Sequence, residues 1–145
     1  MKPGLEPGAR ARHTMVVEAS HLVPAQLAEQ RGGAGAFGDM PAVLATGQMV
    51  VLMEWACLEQ MRPFYEDGET SLGVHVDFDH AAPTLPGQTV TVETEVESID
   101  GRFVWFRVEA HDGVERIGGG RHRRAVVKTG KFTERLAAKR AAAGL

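Results

Sequence analysis

Gln48-Met49-Val50-Val51-Leu52-Met53-Glu54-Trp55-Ala56-Cys57 is the stretch on which the fold turns. It sits inside a longer helical pattern. Asp39 reads as an N-cap and Pro41 falls in the first turn. The pattern then runs to about Arg62 and stops before Pro63. From Val43 to Met61 apolar side chains fall on nearly every side: Val43, Leu44, Val50, Val51, Leu52, Met53, Trp55, Ala56, Cys57, Leu58 and Met61. A surface helix shows one apolar stripe, whereas a helix that is apolar all round is buried. This one is too interrupted to span a bilayer. The remaining chain must therefore wrap around it.

Four long strand patterns follow the helix, at about Ser71 to Ala81, Thr89 to Ser98, Arg102 to His111 and Glu115 to Lys128. Asp100-Gly101 and Asp112-Gly113 separate three of them as hairpin turns, because both central residues tolerate positive φ. A shorter strand is expected around His13 to Glu18, before the helix. Pro24 to Gln30 has the makings of a helical turn. The following Arg31 to Gly38 is too rich in glycine for a stable helix and reads as a mobile loop carrying Phe37. A strand, a helix and an antiparallel meander make an α+β chain. One long helix under one antiparallel sheet is the hot-dog arrangement. The 145 residues suit a single domain. We place it at 13–132, after a flexible Gly/Pro-rich lead-in at 1–12 and before an exposed C-terminal helix or tail at 133–145.

A net charge of -3 argues against nucleic acid or an anionic membrane as partner, because phosphate binding is mainly a matter of positive charge. No apolar run reaches the length of a membrane span. Met1 to Arg12 lacks the apolar core of a signal peptide. The single cysteine, Cys57, excludes an internal disulfide framework and a multi-cysteine zinc site. A cytoplasmic protein is the expectation.

Glu54 is the most informative candidate for chemistry. No Lys or Arg lies between Arg31 and Arg62, so nothing on its own helix neutralises it. Carboxylates are rarely buried without a partner. Either the helix has one solvent-facing edge at Glu54, or the carboxylate is held in an apolar site as a base or nucleophile; we favour the second. Thr46 lies two helical turns earlier, about 80° around the axis, and can border the same cleft. Its plain alternative is a bond back to the Ala42 carbonyl. Alternation along Val74, Val76, Phe78 and His80 turns His80 inward, onto the helix that carries Glu54. His75, Asp77 and Asp79 fall on the opposite face. A solvated surface explains that triplet better than a metal site, whose tetrahedral geometry suits a flat strand poorly. Cys57 reads as a small buried hydrophobe. Gly118-Gly119-Gly120 marks a bulge or a close approach by a ligand. In Arg121-His122-Arg123-Arg124 alternation separates Arg121 and Arg123 from His122 and Arg124. An exposed basic strand and an anchor for a phosphorylated ligand are equally open there.

Several stretches together resemble the fluoroacetyl-CoA thioesterase family of hot-dog proteins. They are Met49 to Cys57, with its glutamate followed by Trp-Ala-Cys, Gly68 to Gly73, Pro86 to Val92 and Ala110 to Gly113. The resemblance covers roughly Pro41 to Phe132. It implies a catalytic threonine, glutamate and histidine at Thr46, Glu54 and His80. It also implies a glycine near the acyl carbonyl at Gly73 and a substrate-side arginine at Arg124. The family's apolar lid matches Phe37, but the gating phenylalanine position holds Met40, within a glycine-rich loop. The implied activity is hydrolysis of a short-chain acyl-CoA, fluoroacetyl-CoA among the candidates, to the free acid and coenzyme A. Neither a metal nor a cofactor is expected, and a homodimer is. A hot-dog hydratase or dehydratase, or a non-catalytic acyl-CoA binding module, are the other readings.

Overall fold

The computed structural model describes residues 1–26 and 35–145. One five-stranded antiparallel sheet carries the chain, with strands β1 (Arg10–Val16), β2 (Glu69–His80), β3 (Thr89–Asp100), β4 (Phe103–His111) and β5 (Arg116–Lys128). Across the sheet they run in the order β1-β3-β4-β5-β2, so β1 and β2 are the edges. Helix α1 (Thr46–Met61) lies on one face of the sheet, and α2 (Thr129–Ala142) closes the chain as an exposed helix. This is the hot-dog arrangement.

The meander follows from the turns. Gly101 and Gly113 both adopt positive φ, which lets the chain reverse between β3 and β4 and between β4 and β5. Asp112 fixes the second turn by accepting the Val114 and Glu115 amide N–H groups, each at 2.9 Å. Alternation then sends Val104, Phe106, Val108 and Ala110 of β4 inward beside Val90, Val92 and Val96 of β3. Met49, Leu52, Met53, Ala56, Cys57 and Met61 of α1 complete that core. The one polar residue in this stripe, Gln60, is satisfied. It donates to the Ala9 carbonyl at 3.0 Å and accepts from Thr94 at 2.7 Å.

Two expectations need correction. The helix begins at Thr46, capped by Ala45, not at Asp39. The segment ahead of it is claimed by tertiary backbone pairing. Val43 accepts from Val23, Leu44 donates to Thr84, and Ala45 donates to His21, each at 2.9 Å. A stretch whose N–H and C=O groups are engaged this way cannot also close helical turns. The helix is also not covered on every side. Its buried residues recur at the spacing of a single stripe, and Val51 stays 57% exposed beside exposed Trp55.

The strand with His80 also departs from simple alternation. The β2–β5 ladder slips between Gly73 and His75, and on this edge strand Val74 and Val76 remain 45% and 42% exposed while Phe78 and His80 are half-buried. The glycine triplet is explained by the protein's own close packing, without a ligand. A Cβ on Gly118 or Gly120 would collide with the Asp79 or Asp77 backbone oxygen, and one on Gly119 with the Glu109 carboxylate. The expected turn at Pro24 to Gln30 is seen as a 3-10 turn at Val23–Ala25. Residues 27–30 of it, and the first half of the glycine-rich loop, lie outside the described residues.

Candidate active site

Glu54 projects from the middle of α1 toward β2 and β5. Its side chain is 34% exposed. It reaches the strand because Gly73 has no side chain there. A Cβ at Gly73 would overlap Glu54 Oε1 and would stand 3.2 Å from the His122 ring. The backbone at Gly73 is not left-handed, so the position needs glycine for space, not for φ.

The cation-free setting expected for Glu54 holds only on its own helix. From β5, His122 Nε2 lies 3.5 Å and Arg124 Nη1 3.8 Å from Glu54 Oε1. Arg124 is itself buried and fully engaged. Its Nε donates to Ser71 Oγ at 2.8 Å, its Nη2 to the Ser71 carbonyl at 3.0 Å, and its Nη1 to the Glu54 carbonyl at 3.4 Å. Tyr65 and Ser71 share a further hydrogen bond of 2.6 Å. Burial pushes the Tyr65 phenol above its ordinary value. A buried polar chain thus runs from Tyr65 through Ser71 and Arg124 to the carboxylate.

Thr46 and His80 form a second group. Thr46 Oγ1 and His80 Nδ1 are 2.8 Å apart. Thr46 therefore bonds across to β2, not back to the Ala42 carbonyl and not to Glu54. His80 Nε2 is enclosed and has no hydrogen-bond partner among the described residues. The eight residues from Thr46 to Glu54 put the two groups roughly 12 Å apart along α1.

The remaining candidates separate cleanly. Phe37 ends a 3-10 turn at Gly35–Phe37, and Met40 follows it; both are exposed. Arg121 and Arg123 lie over the Trp105 ring, 4.4 and 5.0 Å from its centroid, on the outer face. Arg121 and Arg123 thus fit the exposed basic strand, whereas the buried Arg124 is bonded to Ser71 and the Glu54 carbonyl within the protein. Asp79 is bound by Arg116, whose guanidinium holds it below the ordinary carboxylate range. Burial pushes the Cys57 thiol up, against any nucleophilic role. The described residues contain no group of three or more His, Cys, Asp or Glu side chains that could hold a metal ion. None of their helices is long and apolar enough to cross a membrane.

His122 and the Tyr65–Ser71 pair were not singled out in the sequence as site residues. The available signal was that His122 shares a strand face with Arg124.

Comparisons with known proteins bear on the family and the fold. The sequence model of the family described as fluoroacetyl-CoA-specific thioesterase matches residues 23–130. A fluoroacetyl-CoA thioesterase of Streptantibioticus cattleyicolor is 44% identical over 94% of this chain and 95% of its own length. A solved structure of a fluoroacetyl-CoA thioesterase superposes with a TM-score of 0.87 at 44% identity, over 94% of this chain and 98% of the other. A variant of such an enzyme, solved in complex with fluoroacetate and CoA, matches with a TM-score of 0.82 at 44% identity, over 88% and 99% of the two chains. Sequence and fold converge, and this chain belongs to the fluoroacetyl-CoA-specific thioesterase family, whose members are thioester hydrolases on the hot-dog fold.

Proposed function

We propose that this chain hydrolyses a short-chain acyl-CoA, with fluoroacetyl-CoA within its range, and that Glu54, Thr46 and His80 carry the reaction. The observation that carries the reading is the Glu54 carboxylate lodged against Gly73, with Arg124 behind it. The carboxylate opens the thioester, either by attacking the carbonyl carbon or by taking the proton of an attacking water. The Gly73 N–H is the donor for charge developing on the carbonyl oxygen. Thr46 holds the His80 ring, and Nε2, enclosed and without a partner among the described residues, is the nitrogen left for a proton-transfer role. If Glu54 attacks, the thiolate leaves and a mixed anhydride forms. Water hydrolyses the anhydride to the acid, which restores the carboxylate and supplies the thiolate's proton. If water attacks, the proton that Glu54 takes from it passes to the departing thiolate. Either way the products are the acid and coenzyme A. Fluoroacetate and CoA bound together in a relative's structure support this substrate class.

The working unit is a homodimer in this reading. β2 is a sheet edge with exposed Val74 and Val76. Pairing β2 with its copy about a twofold axis near Val76 sets the Gly73 end of one strand beside the His80 end of the other. That would bring Glu54 toward the partner subunit's Thr46 and His80, closing the separation found along α1. Phe37 and Met40 serve as lid residues over the acyl group.

Glu54→Gln tests the assignment. Glutamine keeps the size and an acceptor for Arg124, so the variant stays folded. Its kcat falls by about a hundredfold or more, the scale of a lost acid–base group. Thiol release from acetyl-CoA, fluoroacetyl-CoA and a crotonyl-type thioester reads the result. A variant that hydrolyses at the wild-type rate removes Glu54 from the mechanism. Hydration of the crotonyl chain without thiol release would favour a hydratase, and binding without turnover a binding module.

A further inference from the structure

His122 is fully buried, yet it stands against the groups just assigned to the reaction. Its surroundings fix its chemistry. Nδ1 lies 2.7 Å from the His75 carbonyl, and a carbonyl oxygen only accepts. Nδ1 therefore carries the hydrogen. Nε2 lies 3.2 Å from Arg124 Nη1, and a guanidinium only donates. Nε2 therefore presents a lone pair. The two partners together select the neutral ring in its Nδ1–H form. Phe78 packs beside the ring, with centroids 6.1 Å apart, and Gly73 leaves room for it. The β2–β5 ladder slips next to His75, the residue whose carbonyl receives the ring.

This arrangement has a consequence for Glu54. Arg124 Nη1 is shared between the Glu54 carbonyl, the Glu54 carboxylate and His122 Nε2. A ring that accepts from Arg124 holds the guanidinium at that point and leaves the carboxylate without a second cation. A ring donating from Nε2 would repel Arg124 and bind Glu54 itself, 3.5 Å away. We propose that His122 is a positioning residue, which acts through Arg124 by keeping an acceptor at Nε2 so that the Glu54 carboxylate stays aligned and free to react. The proposal rests on Glu54 being the reacting carboxylate. The His122 ring is fully buried, so it acts through Arg124 and not on the substrate directly.

The test compares His122→Gln, His122→Asn and Glu54→Gln in the full-length protein, by thiol release from fluoroacetyl-CoA and by thermal melting. Asparagine keeps a donor near the Nδ1 position and loses the acceptor toward Arg124. Glutamine reaches far enough to place its amide oxygen there. Expected for His122→Asn is a folded protein with kcat lowered between about tenfold and a hundredfold, the scale for a catalytic group displaced by an ångström. Its KM stays near wild type. His122→Gln recovers most of the lost kcat. Wild-type kcat in His122→Asn overturns the proposal, and so does a loss in His122→Gln as deep as that in His122→Asn. Glu54→Gln separates the two levels: if it is fully active, the site reading fails first; if it is inactive while His122→Asn is active, only the role of His122 fails. Should His122→Asn not fold, nitrogen-detected NMR of the wild-type rings decides. A neutral Nδ1–H ring at His122 supports the proposal, and an Nε2–H or charged ring at neutral pH overturns it.

Discussion

Gly73 and Glu54 show what one residue conveys in the sequence and what it conceals. Glu54 was legible because it is a carboxylate in an apolar run with no cation on its helix. Gly73 in a strand was legible only through the resemblance, since nothing local says which side chain needs the space. Arg124 was half legible: alternation put it with His122 on one face, but not which element that face meets. His122 was legible only as the companion of Arg124 on that face. Its role depends on the β2–β5 register, on the slip near His75 and on where α1 presents Glu54, and these are set by the assembled sheet. Its burial makes a prediction. Burial first, then the Arg124 charge, pushes the His122 pKa below the ordinary histidine value, while the His75 carbonyl and Glu54 oppose the shift. The unfolded chain therefore binds a proton here before the folded one does. Stability is fully retained above the ordinary histidine range, near pH 6.5, and declines as pH falls below it. Melting curves of the wild type between pH 7.5 and about 5 should show this decline, and His122→Gln should flatten it by a few degrees. Histidines away from His122 remain in both proteins and cancel in the difference. Equal slopes would mean that His122 titrates as it does in the unfolded chain.

At the scale of elements, the strands were read closely because alternation and Asp-Gly turns are local signals. The helix start was misplaced because Asp39 and Pro41 are good local start residues whose chain is diverted. Backbone pairing of 43–45 with His21, Val23 and Thr84 overrides the local preference. That diversion leaves Met40 outside α1, exposed on the approach to Thr46. Methionine is unbranched and flexible, so it fills a gate position less uniquely than phenylalanine. We predict that this chain separates fluoroacetyl-CoA from acetyl-CoA less sharply than the Streptantibioticus enzyme does. Met40→Phe should raise the ratio of kcat/KM values by a fewfold, below the roughly tenfold or more that a whole methylene supplies in an apolar pocket. An unchanged ratio in the variant, or a native ratio equal to that of the relative, would place selectivity elsewhere than Met40.

The whole molecule leaves two features unexplained within one subunit. Helix α1 was expected to be covered on all sides, yet Val51 and Trp55 stay exposed. Strand β2 was expected to turn Val74 and Val76 into the core, yet both stay exposed on a sheet edge. Single-chain reasoning assigns every apolar residue to the chain's own interior, so it cannot distinguish a core position from one covered by a second copy. An edge strand also carries unpaired N–H and C=O groups that readily pair with another strand. The separation of Thr46 and His80 from Glu54 adds a functional reason for a second copy, because pairing of the β2 edges would complete the site. We therefore predict a dimer in solution, measured by light scattering on a sizing column, at the concentrations used for turnover. Replacing both Val74 and Val76 by aspartate puts like charges across that edge, where they repel. The double variant should run as a monomer, and its kcat/KM should fall by about a hundredfold or more, the scale of losing a catalytic constellation's alignment. Raising the concentration of the variant should restore activity in step with dimer formation. A wild-type monomer with full turnover would show that each subunit carries a complete site, and Thr46 and His80 would then have to act at a distance from Glu54 that their geometry does not support.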